Sequence, residues 1–212
     1  MKVSEVAKSL GVSPRRVRQL IEDNSIVAHQ SDDGVWDIDP RSLIRGLPVS
    51  RPLSKRSVEA MLQLLDGRQP QGISASEVSR IRSKIRSLRD NPDAAIKLIS
   101  WMASRSVEYR LSISPSLLEA LRSDNRLKLS GISHPESDMS SFGMVEAYVS
   151  DDSFDGLVAD YQLVPGGFDG NVILRIRDEE DVSLPLVMID LLEGLDSRSR
   201  DRGLVLLEGM IK

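Results

Sequence analysis

Between residues 13 and 19 the chain reads Ser-Pro-Arg-Arg-Val-Arg-Gln, which crowds three guanidinium groups and a carboxamide into about two helical turns. These groups share one chemistry. Arg donates paired hydrogen bonds to guanine edges and to phosphates, and Gln pairs in the same way with adenine. Ser13 is placed to cap a helix and Pro14 to fill its first position, where a missing N–H costs nothing. Steps of 100° per residue put Val17, Leu20 and Ile21 on one face. Arg15, Arg18 and Gln19 then fall near the opposite face, with Arg16 on the flank. Arg15 and Arg16 stand in the first turn, where the helix dipole disfavours cations by a few tenths to roughly 1 kcal/mol each. A helix shaped for stability alone would avoid this, and an external phosphate would offset it. The competing reading is a solvated arginine face on a small bundle.

Other chemistry is sparse. Asp151-Asp-Ser-Phe-Asp-Gly156 opens like a calcium loop, but its twelfth position is Gln162, so the bidentate glutamate is missing. N-capping of the following helix accounts for Asp151 and Asp152. Gly166, Gly167 and Gly170 precede a strand rather than a helix, so they read as a hairpin turn, not a phosphate loop. Asp178-Glu-Glu-Asp181 reads as a solvated loop. Ser130 and His134 are close in sequence, but Pro135 and loop character argue against a catalytic triad. With 2 histidines and no cysteine the chain has few catalytic instruments. The expectation is a non-enzyme with no cofactor and no metal.

The elements that position the arginines come next. Ser4 reads as the cap of a first helix bearing Val3, Val6, Ala7 and Leu10, stopped at Gly11. After the arginine helix, Ile26–Gln30 and Val35–Ile38 flank Ser-Asp-Asp-Gly, a hairpin signal. Asp39-Pro40 then caps a short helix ending at Gly46. Helix, turn, helix, hairpin and Trp-x-Ile in that order, over residues 1–46, resemble the winged helix-turn-helix of excisionase and MerR-like regulators. The resemblance implies binding to double-stranded DNA through Ser13, Arg15, Arg16, Arg18 and Gln19. His29, beside the hairpin, is a candidate phosphate contact, though an exposed strand histidine is the simpler reading. Asp32 and Asp33 stand at the tip where the family carries basic residues, so the wing itself is expected to be repelled.

Length and charge bound the rest. A chain of 212 residues holds two or three small domains. The net charge of −4 averages unlike segments: residues 1–46 carry 7 basic and 7 acidic groups, residues 47–110 carry 12 and 6, and residues 111–212 carry 9 and 19. That asymmetry points to a basic half facing nucleic acid and an acidic half held away from it. With no signal-peptide pattern and no long apolar run, the expectation is a soluble, cytoplasmic protein without a membrane partner.

Residues 47–106 read as a helical segment behind the linker Leu47–Leu53. One helix is capped by Ser54, a second by Ser74 with Glu77 in a capping box, and a third begins at Asn91-Pro92. The second carries Arg80, Arg82, Lys84, Arg86 and Arg89 outside its apolar stripe. With Lys8, Arg82 and Arg86 are candidate phosphate contacts. A solvated face, or pairing with the acidic half, would explain them equally well.

Residues 107–212 read as a small mixed α/β domain. The expected order is a strand with Val107, Tyr109, Leu111 and Ile113 inward, a short helix after Ser114-Pro115, and strands near 126–131 and 144–149. A helix over 151–161, a strand at 171–177 and helices at 186–192 and 196–211 follow. The fold class is therefore α+β. Leu129-Ser-Gly131, Val145–Val149, Gly170–Arg175, Pro185–Leu192, Asp196–Arg200 and Gly203–Leu207 occur in an order that resembles the C-terminal part of AbiEi-type antitoxins of bacterial toxin–antitoxin pairs. That resemblance implies a repressor of its own promoter that counteracts a nucleotidyltransferase-like toxin. One such module makes few phosphate contacts, so regulator-grade affinity implies a homodimer, at least on DNA. The alternatives are a one-component regulator with a ligand- or protein-sensing C-terminal domain, and an excisionase-like architectural protein.

Overall fold

A computed structural model describes residues 1–9, 12–22, 26, 28–30, 34–38, 51–140, 143–167, 170–177, 181–194 and 196–211. The expected helix after Asp39 and the hairpin tip at Asp32 and Asp33 lie outside those residues. The chain is α+β and divides into two units, Met1–Arg51 and Pro52–Lys212.

In the first unit, α1 (Val3–Ser9) and α2 (Pro14–Glu22) precede an antiparallel pair, β1 (Ala28–Gln30) and β2 (Trp36–Ile38), with His29 opposite Asp37. α1 starts one residue before the Ser4 cap read from sequence. The Glu5 carboxylate instead reaches back to the Lys2 N–H at 2.8 Å. Val6, Ala7, Val17, Leu20, Ile21, Ile26 and Ile38 form the core; this includes all of the face expected of α2, while for α1 Val3 is half-buried against it and Leu10 lies outside the described residues.

The second unit is built on a five-stranded sheet. Its strands are β3 (Val107–Ser112), β4 (Lys128–Leu129), β5 (Val145–Val149), β6 (Val164–Pro165) and β7 (Val172–Ile176), ordered β4-β5-β7-β3-β6. Among these neighbouring strands β5 and β7 pair in parallel and the other pairs are antiparallel. Alternate residues face opposite sides of a strand. One side presents Leu111, Val145, Ala147, Val149, Val172 and Leu174. These pack under α6 (Leu118–Arg122) and α7 (Asp151–Asp160) through Leu118, Leu121 and Leu157. The other side presents Glu108, Arg110, Glu146, Tyr148 and Arg175, and α8 (Leu184–Leu192) covers it. α8 in turn touches α3 (Lys55–Leu65), α5 (Ala94–Met102) and α9 (Ser197–Met210), so the helices behind the linker belong to the same unit as the sheet. α4 (Ala75–Arg86) packs on α3.

Three local expectations are corrected. Val107 and Tyr109 are exposed at 58% and 38% while Leu111 is buried, because the cover ends where the Tyr109 ring meets Phe154 of α7. The segment around Gly166 and Gly170 is no hairpin. β6 and β7 flank β3 on opposite sides, and the glycines lie against Leu111, whose carbonyl oxygen would stand 2.6 Å from a Cβ at either position. The cap of α7 is Ser150, with Asp151 and Asp152 inside the first turn, where the helix dipole favours them. The expected caps at Ser54 and Ser74 are present, the latter as a complete capping box.

Candidate nucleic-acid interface

α2 is terminated and turned by its own sequence. Ser13 Oγ accepts the Arg16 N–H at 3.2 Å, satisfying one orphan donor of the first turn. No acid occupies that turn. Val17, Leu20 and Ile21 are buried, which forces Arg15, Arg18 and Gln19 outward, where all three are exposed. Arg16 is half-buried on the flank and donates from Nη1 to Gln19 Oε1 at 3.0 Å. That bond orients the carboxamide and leaves its NH₂ donors outward.

Arg18 also lines a cleft of about 610 Å³ with Lys2, Ser4, Gln30 and Trp36, bringing the far side of α2 beside the β1–β2 pair. His29 is exposed on β1. Ser13, Arg15, Arg18, Gln19 and His29 are therefore all solvent-facing in the first unit. The Lys8 side chain lies outside the described residues. Arg82 and Arg86 stand on α4 in the second unit, both exposed.

The second unit holds a cluster that sequence reasoning missed. Asp190 of α8, 0% exposed, accepts from Arg105 Nη2 at 2.8 Å, from the Tyr148 hydroxyl at 3.1 Å and from Ser130 Oγ. Arg105 also donates from Nη1 to Glu193 Oε1 at 3.0 Å. Arg175, equally buried, lies 3.2 Å from Glu108, 3.3 Å from Asp190 and 3.6 Å from Glu146. Its nitrogens make ion pairs but no hydrogen bond of good geometry. Glu146 Oε2 accepts the Ile132 N–H at 2.9 Å, beside Gly131, whose positive φ no side chain could share with that carboxylate.

Burial opposes every charge in this layer. It pushes the Glu146 carboxyl up, against the pull of Arg175. It pushes the Tyr148 hydroxyl up, with help from Asp190. For Arg105 and Arg175 burial is outweighed by carboxylates, Glu193 first for the former and Asp190 first for the latter, so both are held above the ordinary arginine range. Ser130 is engaged with Asp190, while His134 Nδ1 accepts the Glu136 N–H, so these two do not form a nucleophile–base pair. No group of three metal-ligating side chains occurs among the described residues. The layer binds its own members. The signal that could have found it is a charge inside an apolar run: Val-Glu-Ala-Tyr-Val, Val-Ile-Leu-Arg-Ile and Val-Met-Ile-Asp-Leu-Leu.

Comparison with protein-family models, with curated proteins and with solved structures finds no match to the chain.

Proposed function

We propose that the chain is a DNA-binding regulator whose first unit works as a winged helix-turn-helix. α2 would enter the major groove and Arg15, Arg18 and Gln19 would read base edges. The observation that carries this reading is the outward face of α2: two arginines and a glutamine side by side, next to a serine-capped helix start with no acid in its first turn. Arg16 and Ser13 would meet phosphates, as would His29 from β1. By the resemblance to AbiEi-type antitoxins, the proposed biological role is repression of its own promoter and antagonism of a nucleotidyltransferase-like toxin. It would act as a homodimer on an inverted repeat.

The test is binding to duplex spanning the promoter of its own gene, against random duplex of equal length. Arg15→Ala, Arg18→Ala and Gln19→Ala should each cost about 1–3 kcal/mol on the cognate site and far less on random DNA. Equal losses on both would remove base reading. A footprint over a single unrepeated site would remove the dimer.

One observation favours a second reading, a ligand-sensing regulator. A cleft of about 670 Å³ lies between α9 and the α4–α5 connection, walled by Leu88, Ala95, Leu204, Leu207 and Ile211 with Asn91 and Glu208 among its polar groups. That volume suits a small molecule. A metabolite that shifts the DNA affinity of the full chain, and loses this effect in Leu204→Glu, would favour this reading over the antitoxin.

A further inference from the structure

We propose that the outward face of α4 is a second contact for the phosphate backbone of double-stranded DNA, carried by Arg80, Arg82 and Arg86. The proposal rests on the reading that the chain binds DNA, and adds to it a sequence-independent contact in the second unit.

α4 turns Ile81 into the core, with Leu88 buried just beyond its end, and leaves its far side to solvent. Helical geometry places Arg82 and Arg86 one turn apart along one border of that side and Arg80 along the other. Ser79 and Ser83 fill the lane between them, and the three arginines are exposed. None of these three arginines makes an ion pair within 4.0 Å among the described residues, although Arg80 acts electrostatically on Glu77, which pairs with Arg56. What they hold is neutral: Arg80 Nε donates to the Ser76 carbonyl at 3.4 Å, and Arg82 Nη2 donates to Gln69 Oε1 at 2.9 Å. Lys84, on the same helix, is used differently, lying over the Trp101 ring at 4.5 Å.

Most other arginines of the unit take a carboxylate, although Arg198 and Arg200 make no ion pair within 4.0 Å among the described residues. Residues 52–212 carry 20 basic and 25 acidic groups, so partners are plentiful. Arg56 takes Glu77, Arg68 takes Asp66, Arg126 takes Asp124 and Asp160, Arg177 takes Glu59, and Arg202 takes Asp138. Arg82 and Arg86, four residues apart, repel each other unless an anion lies across them. The face carries no exposed large apolar side chain. Protein interfaces need an apolar centre, whereas a phosphate backbone needs only cations and hydroxyl donors. The chemistry therefore favours a polyphosphate over an acidic protein.

The test uses the full chain with Arg80→Gln, Arg82→Gln and Arg86→Gln combined, and a companion with all three changed to Lys. Affinity for random-sequence duplex is followed by fluorescence anisotropy over a potassium chloride series. The glutamine variant should bind random duplex at least tenfold more weakly at low salt. Its slope of log affinity against log salt should shrink by about 0.9 for each phosphate that is no longer neutralised. Its preference for cognate over random DNA should be unchanged. The lysine variant should keep the wild-type slope, which separates charge from fold. Wild-type slope and affinity in the glutamine variant would overturn the proposal. So would arginine-dependent capture of polyglutamate without any effect on DNA, which would identify an acidic protein partner. The α2 variants discriminate: if Arg15→Ala and Arg18→Ala lose cognate preference while the α4 variant binds as wild type, the α4 contact falls and base reading by α2 stands. The reverse pattern leaves the α4 contact standing alone.

Discussion

Asp190 is the single side chain on which the most depends. It sits at 0% exposure and answers two guanidinium groups, a phenol and a serine hydroxyl. Removing one member of such a set leaves uncompensated buried charge, a cost of roughly 3–5 kcal/mol. Asp190→Asn should therefore lower the unfolding free energy of the second unit by that amount, read from urea titration followed by far-UV circular dichroism. Gly131 illustrates the same site from its other edge. Gly131→Ala would drive a methyl group into the Glu146 carboxylate at a positive φ, so it too should destabilise, and Glu146→Gln should not rescue it. At this scale the sequence was half legible. Arg15, Arg18 and Gln19 follow from a short helix with a three-residue apolar face, which has one way to be buried. Glu146, Arg175 and Asp190 were not assigned, because a charge in an apolar run is satisfied by partners on other strands and helices, and no local spacing names them.

Elements were more readable, since caps and periodicity are local. Ser54 and Ser74 cap α3 and α4 as their sequences imply, and β5, α7, β7, α8 and α9 fall close to where their apolar patterns end. Pairing was not readable. Val164-Pro165 forms the edge beside β3, and Gly166 and Gly170 let the chain pass close to Leu111. A similar close approach joins α8 and α9. A Cβ on Gly203 would stand 2.8 Å from the Leu192 backbone nitrogen. Gly203→Ala gains helix propensity but overpacks that approach, so a net loss of about 1–3 kcal/mol is expected, measured by thermal or urea unfolding. Gly209→Ala, on the same helix with nothing near its added methyl, is the matched control and should stabilise slightly.

For the molecule as a whole, two units predict two transitions. The core of Met1–Arg51 consists of seven buried side chains among the described residues, so this unit has little stability to spare. Leu20→Ala should lower the first calorimetric transition by several degrees while leaving the second in place, and should abolish the proposed DNA binding. Acid should act on the second unit. Asp124 is hydrogen-bonded to Arg126 and to the Tyr161 hydroxyl, and these hold its carboxyl at about 2. A depressed acid contributes stability that is fully present above its unfolded value, near 4, and is lost as pH falls towards 2. Asp124→Asn should flatten that part of the acid limb in a series of unfolding midpoints. No helix among the described residues is long and apolar enough to cross a membrane.

The buried charge layer also constrains how this fold can diverge. An all-apolar helix over a sheet can rotate or slip by one turn at small cost, whereas α8 has a single seat in which Asp190 meets its four partners. Its members are thus inherited as a set. A homologue that has replaced Asp190 with a hydrophobic residue should have lost Arg105 and Arg175 as well, and one that keeps a single arginine of the pair should keep the aspartate.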